Sequence, residues 1–70
     1  MADILAPLAG KILALRVEPG SKVEEDDELV VIEALKMENT VYATSGGTVK
    51  EIKVKKGDSV EDEQLLIVLE

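Results

Sequence analysis

The sequence consists of two copies of one pattern. Shifted by 37 positions, residues 4–33 align with residues 41–70 without a gap, and nine of these 30 pairs are identical. The identities fall on glycines and apolar positions, which fix turns and a core, so we interpret the match as a true repeat. Two copies are too few for a solenoid. We therefore predict that residues 1–70 form one domain with internal pseudo-twofold symmetry.

Each copy predicts four short strands separated by turns. The predicted strands are Ile4–Ala6, Lys11–Val17, a short strand around Val23, Leu29–Ile32, Val41–Ala43, Thr48–Val54, a short strand around Val60, and Leu65–Leu69. Four glycines at matching positions are interpreted as shaping turns: Gly10, Gly20, Gly47 and Gly57. About eight short strands with closely spaced turns are typical of a small antiparallel sandwich or flattened barrel.

Two details of this assignment depend on comparing the copies. In the long strands, apolar residues are spaced by three and then by two, as at Ile12, Leu15 and Val17, which predicts a bend or bulge in both copies. Residues 24–38 are rich in helix formers and could by themselves form a helix. The matching run Leu65–Leu69 is short and the first copy has clustered β-branched residues at 30–32, so a strand is favoured.

The composition excludes several classes of function. The chain has no cysteine and no histidine, so disulfides, thiolate metal sites and histidine catalysis are absent. Its net charge of −7 disfavours binding to nucleic acid or to anionic membranes. No apolar run approaches the roughly 20 residues that span a bilayer, and no basic segment followed by an apolar one opens the chain. We expect a cytoplasmic protein that lacks an enzyme active site of its own.

The link between the copies, residues 34–40, lies outside the two aligned ranges. Lys36 lies in it and has no counterpart, because adding 37 to its number passes the last residue. Symmetry predicts that this link is an exposed hairpin at the pole opposite the chain ends. Leu35 and Met37 flank the lysine, and two such residues in an extended segment cannot both point inward, so at least one should be exposed.

The same segment carries a motif. Residues 33–39 read Glu-Ala-Leu-Lys-Met-Glu-Asn, which closely resembles E-A-M-K-M-E-N, the biotin-attachment motif of biotinyl domains. The resemblance extends through the repeated turns over essentially the whole chain. The family comprises the biotin carboxyl carrier domains of biotin-dependent carboxylases, decarboxylases and transcarboxylases. Leu35 stands where the family usually has Met, and because the two are similar in volume and hydrophobicity we expect modification to be retained.

This resemblance implies a fold, a cofactor and partners. The implied fold is a flattened β-barrel, or barrel-sandwich hybrid, of two four-stranded antiparallel sheets. Lys36 would carry covalent biotin, attached by a biotin protein ligase, and five neighbours would serve recognition: Glu33, Ala34, Leu35, Met37 and Glu38. Biotin would be carboxylated at a biotin carboxylase using ATP and bicarbonate and would deliver the carboxyl group at a carboxyltransferase. The location would be the cytoplasm, or an organelle matrix if the chain is part of a longer protein.

Two other interpretations remain open at this point, and a third, a calcium site, is disfavoured. A lipoyl carrier domain shares the fold but typically has Asp-Lys-Ala, whereas Lys36 lies between Leu35 and Met37. An unmodified domain of this type, acting as a structural or adaptor module, would not need an acceptor lysine at the hairpin. The acidic run Glu24–Glu28 invites a calcium interpretation but lacks the alternating spacing and central glycine of a calcium loop, so we predict no metal site.

Overall fold

The computed structural model describes residues 2–70, and within that range it contains eight strands and no helix. The strands are β1 (Ala2–Leu5), β2 (Gly10–Leu15), β3 (Lys22–Val23), β4 (Glu28–Ala34), β5 (Met37–Tyr42), β6 (Gly47–Ile52), β7 (Ser59–Val60) and β8 (Leu65–Leu69). All eight predicted strands are therefore present, and the helix considered for residues 24–38 is not. Since the described residues form no helix, none of them forms a membrane-spanning helix.

The strands form two four-stranded antiparallel sheets, and the sequence repeat relates one sheet to the other. One sheet has the order β1-β8-β6-β3 and the other the order β5-β4-β2-β7. Shifting by one repeat turns β1, β8, β6 and β3 into β5, β4, β2 and β7, so the two sheets are pseudo-twofold mates. Each sheet takes two strands from each copy, which confirms the predicted fold and means that neither copy completes a four-stranded sheet without the other.

An aliphatic core fills the space between the sheets. No polar or charged residue is buried among residues 2–70, and the largest fully buried side chains are Ile12, Leu29, Val30, Ile32, Val49, Leu66, Ile67 and Leu69. Burying one such Leu, Ile or Val side chain contributes about 1.5–3 kcal/mol. The core is thus built from the β-branched and leucine runs that distinguish the strands in the sequence.

Both predicted bends are present. The pairing of β2 with β4 shifts register between Ile12 and Ala14, and the pairing of β6 with β8 shifts between Val49 and Glu51. A bulge changes which residues face the core, because it adds one residue to the alternating pattern. As a result Ile12 is buried in the core and Leu15, three residues later, also packs against it.

The predicted strand ends differ from the observed ones chiefly at the hairpin. β4 extends to Ala34 and β5 begins at Met37, whereas the sequence predicted strands ending at Ile32 and beginning at Val41. The second copy ends at Glu70, so comparison of the copies gave no sign of this extension. Cross-strand pairing of residues 33–34 with 37–38 continues the ladder to the turn itself.

The four glycines fall into two classes. Gly20 and Gly57 lie in turns with φ of 94°, as predicted, where glycine adopts the left-handed region without strain. Gly10 and Gly47 do not shape turns, so that prediction is wrong: they are the first residues of β2 and β6. A Cβ atom on Gly10 would lie 2.4 Å from the carbonyl oxygen of Glu33, so glycine is required there for close approach of the backbones.

Candidate functional site

The link between the two copies is a tight hairpin whose turn contains only Leu35 and Lys36. Ala34 and Met37 pair directly across it. The φ angles of Leu35 and Lys36 are 52° and 64°, and two consecutive positive values are typical of a type I′ turn. That turn usually contains Asn and Gly, since bulky L-residues rarely adopt positive φ. The long β4–β5 ladder holds two non-glycine residues in this conformation and so fixes the backbone that presents the lysine.

The turn exposes its apolar residues to solvent. Leu35 is 96% exposed and Met37 is 66% exposed, which confirms the prediction that at least one of them lies outside the core. Lys36 is exposed as well. Within residues 2–70 the structure contains one ion pair, between Lys53 and Glu51, and it does not involve Lys36. The hairpin therefore presents an amine between two apolar side chains.

Charged residues occupy the second cross-strand pair from the turn. Glu33 pairs with Glu38 across the hairpin, and on its other side Glu33 pairs with Lys11 of β2. All three residues are exposed. Analysis of the sequence missed Lys11 and Gly10 as neighbours of the hairpin. The pairing of β2 with β4, which places them there, follows from the topology and has no local signal.

The asparagine that completes the motif acts on the hairpin backbone. Asn39 Nδ2 donates a hydrogen bond of 3.4 Å to the carbonyl oxygen of Met37. The distance indicates a weak bond. Ala34 is partly buried beside the turn. These two residues support the strand ends, whereas Leu35 and Met37 offer surface to a partner.

The repeat relates the hairpin to the chain ends. The pair Ile32–Asn39 corresponds, one repeat later, to the pair of Leu69 with Ala2. Because a twofold operation relates the two pairs, they lie on opposite sides of the pseudo-symmetry axis of a molecule 31 Å long. That Lys36 lies at the pole opposite the chain ends stays a prediction.

The site has the chemistry of an acceptor for modification. A neutral lysine amine is a good nucleophile for acyl transfer, but an ammonium is not, and activation needs a base or a desolvated pocket. The nearest ionisable residues in the pairing, Glu33 and Glu38, are exposed to water. Residues 2–70 contain no group of three or more His, Cys, Asp or Glu side chains that could hold a metal ion.

Comparison with known proteins identifies the family. The model of the Biotin_lipoyl family, described as "Biotin-requiring enzyme", matches residues 2–69. The α chain of human mitochondrial propionyl-CoA carboxylase is 43% identical over 65 residues. That alignment covers 93% of this chain and 9% of the carboxylase, so the chain spans a small part of this relative.

Two solved structures share the fold. The crystal structure of Kluyveromyces lactis urea carboxylase matches 97% of this chain, over 6% of its own, with a TM-score of 0.91 and 34% identity. The solution structure of the lipoyl domain of the Azotobacter vinelandii 2-oxoglutarate dehydrogenase complex matches the whole chain, over 96% of its own, with a TM-score of 0.84 and 32% identity. The two structures show that part of a urea carboxylase and a lipoyl domain share this architecture. The chain belongs to the Biotin_lipoyl family, and it is the biotin carboxyl carrier domain that its sequence resembles.

Proposed function

We propose that Lys36 is the residue to which biotin is attached and that the domain has no catalytic activity of its own. One observation carries the assignment: the motif lysine lies in an exposed two-residue turn, framed by Leu35 at 96% exposure and by Met37. A ligase can approach such a turn from the solvent side. No other lysine in the chain stands in this motif.

Attachment would join two groups through an amide bond. The Nζ atom of Lys36, once deprotonated in the ligase, would attack the acyl carbon of biotinyl-adenylate and displace AMP. The lysine loses its positive charge in this step. Leu35 and Met37 would pack in the ligase pocket, with Ala34 holding the strand end and Glu33 and Glu38 adding charge recognition.

Biotin supplies a ureido nitrogen that can hold a carboxyl group. The contribution of this chain is to hold the attachment point on a rigid hairpin and to bring it to successive sites. A tethered domain raises the effective concentration of its cargo at each partner. We propose three partners: a biotin protein ligase, a biotin carboxylase and a carboxyltransferase.

The parent protein would be a biotin-dependent carboxylase or decarboxylase of several components. Residues 1–70 would be its single biotinyl-attachment domain, with repeat halves at about 4–33 and 41–70. The carboxylase relative above, of which this chain matches a small part, supports this view. We place the protein in the cytoplasm, or in an organelle matrix if it functions as part of a longer chain.

The experiment is intact-mass measurement after co-expression with a biotin ligase. One biotinyl group should be added per chain, and the net charge should move from −7 to −8 because one lysine charge is removed. Lys36→Arg should abolish the addition. Lys56→Arg, which changes an exposed lysine in the Gly57 turn, is the matched control and should be labelled as the unmodified sequence is.

Two outcomes would contradict the assignment. Labelling of the Lys36→Arg variant would place the biotin elsewhere. Lipoylation by a lipoate ligase, with no biotinylation in parallel samples, would favour the lipoyl interpretation, which the similarity to the Azotobacter lipoyl domain keeps relevant.

A further inference from the structure

A groove separates the outer strands of the two sheets. β1 is one of the two edge strands of its sheet, and β5 is one of the two edge strands of the other sheet. Each is paired on one side only. The groove between them has a volume of about 340 Å³ and is lined by residues 3–5 and 40–42 together with Pro7 and Thr44. An unpaired strand edge offers backbone donors and acceptors to another strand.

Two exposed apolar side chains lie in this groove. Leu5 is 46% exposed and Tyr42 is 51% exposed. They are repeat mates, since 5 plus 37 is 42, and each belongs to one of the two edge strands. The other large exposed apolar residues of the described chain are Leu35 and Met37, which the hairpin accounts for. Leu5 and Tyr42 have no such role in attachment.

An acidic turn of the first copy adjoins the groove where β5 ends. The Asp26 amide donates to the Ala43 carbonyl oxygen at 2.9 Å, and the Ala43 amide donates to the Asp27 carbonyl oxygen at 2.9 Å. Ala43 lies between the groove residues Tyr42 and Thr44. These bonds place the turn at 24–27, which contains four consecutive acidic residues, beside the C-terminal end of β5.

The matching acidic turn of the second copy adjoins the groove where β1 ends. The Glu63 amide donates to the Ala6 carbonyl oxygen at 2.7 Å, and the Ala6 amide donates to the Gln64 carbonyl oxygen at 2.8 Å. Ala6 lies between Leu5 and Pro7, which both line the groove. Asp3 is the charged residue in the lining itself, and no lysine or arginine lines it. The groove thus contains the exposed side chains of Leu5 and Tyr42, and an acidic turn adjoins each of the two strands that line it.

We propose that this groove binds an extended segment of a partner protein with an apolar side chain at its centre and a Lys or Arg on each side. The segment would pair with the free edge of β5, the longer of the two edge strands, as an added β-strand. Its apolar side chain would lie between Leu5 and Tyr42, and its basic residues would reach the two acidic turns. Such a segment complements both the shape and the charge of the groove.

A second copy of this chain fits less well. It would bring its own charge of −7 and the same acidic turns to the contact. Like charges placed together disfavour association. A basic segment from a different protein has the opposite sign and gains from the field of the acidic turns.

Occupation of the groove is compatible with use of Lys36. Tyr42 lies five residues beyond Met37 on β5, a distance of about 16 Å at the usual rise per residue. The groove would therefore hold the domain on a partner while the hairpin remains free to enter another site. The groove is thus a docking surface distinct from the hairpin, which the ligase would bind.

The test uses the isotope-labelled chain and the synthetic peptide Lys-Thr-Val-Thr-Leu-Thr-Val-Thr-Lys. Amide resonances of residues 3–7 and 40–44 should shift on titration, and those of the turn residues Leu35 and Lys36 should not. The double variant Leu5→Ser, Tyr42→Ser should weaken binding about tenfold or more, because it removes the apolar contacts. Both side chains are exposed, so retained dispersion of the core amide signals is the check that the variant folds.

Matched controls separate the parts of the proposal. Leu35→Ser removes an exposed apolar residue outside the groove and should leave peptide affinity within about twofold. A peptide with Glu in place of both terminal Lys residues should bind at least about tenfold more weakly at low salt. Equal binding of the acidic peptide, shifts centred on the hairpin, or no shift at millimolar peptide would each overturn the proposal. So would groove shifts that depend on protein concentration without peptide, since they would identify a second copy as the occupant.

Discussion

Glu33 and Glu38 lie directly opposite each other on β4 and β5, one pair behind the turn that contains Lys36. Like charges at directly opposed positions destabilise an antiparallel ladder. Lys11 pairs with Glu33 from the other side and offsets part of this repulsion. The hairpin thus keeps a carboxylate pair that stability alone would not select, which supports a role of these residues in recognition.

Replacing one carboxylate should separate stability from recognition. We expect Glu38→Gln to raise the free energy of unfolding by about 0.3 kcal/mol at low salt, because it removes the like-charge pair. The gain should shrink in high salt. Denaturant unfolding at two ionic strengths measures this, and the rate of biotinylation should fall in the same variant. A more stable protein that is labelled at the original rate would exclude Glu38 from ligase recognition.

The strand-initial glycine beside the hairpin should tolerate no side chain. Gly10→Ala would place a Cβ atom 2.4 Å from the Glu33 carbonyl oxygen and 2.6 Å from Ile32 Cγ2, so β2 and β4 must separate. We expect a loss of about 2–3 kcal/mol in the free energy of unfolding. Gly46→Ala is the control, since its nearest neighbour, the Val23 carbonyl oxygen, is 3.4 Å away. Similar losses in both variants would contradict the close-approach explanation.

Substitution of the turn glycine Gly20 should destabilise the protein for a different reason, which is backbone strain. A Cβ atom on Gly20 would meet nothing within 4 Å, but its φ of 94° strains any L-residue. We expect Gly20→Ala to cost about 1 kcal/mol by denaturant unfolding and Gly20→Asn to cost less, because Asn tolerates positive φ better. Equal costs for Ala and Asn would argue against backbone strain as the cause.

The repeat explains why so much of the fold was predictable from the sequence. Each ambiguous segment could be compared with its copy, so the short run at 65–69, together with the β-branched residues at 30–32, resolved the segment that by itself resembles a helix. The function of Gly10 could not be found this way, because a turn glycine and a close-approach glycine look the same in a sequence. Lys11 was missed for a similar reason: its position beside Glu33 depends on long-range pairing of β2 with β4.

The exposed ion pair gives a prediction for pH. The Lys53 side chain, through a hydrogen bond and its charge, lowers the pKa of the Glu51 carboxyl below its ordinary value. A folded-state pKa below the unfolded one contributes stability above the unfolded pKa, and that contribution is lost as pH falls through the folded pKa. Lys53→Gln should raise the Glu51 pKa in an NMR titration and change stability little, because the pair is exposed. An unchanged pKa would show that the pair does not form in solution.

Substitutions of Leu35 test whether this residue serves recognition by the ligase or the stability of the hairpin. Leu35 combines a strained positive φ with almost complete exposure, which serves neither turn geometry nor the core. Leu35→Asn should stabilise the hairpin, by about 0.5 kcal/mol, because Asn adopts positive φ more readily. It should also slow biotinylation, since the apolar contact is lost.

Leu35→Met, in contrast, keeps an apolar side chain of similar volume. It should leave the fold intact and the labelling rate equal or faster, because Met is the residue that the biotinyl motif usually has there. Labelling rates of the two variants against the unmodified sequence, with unfolding curves measured in parallel, check both statements. Slower labelling of Leu35→Met would show that the ligase does not read this position as an apolar contact. The strain at Leu35 would then have to be explained by the path of the turn alone.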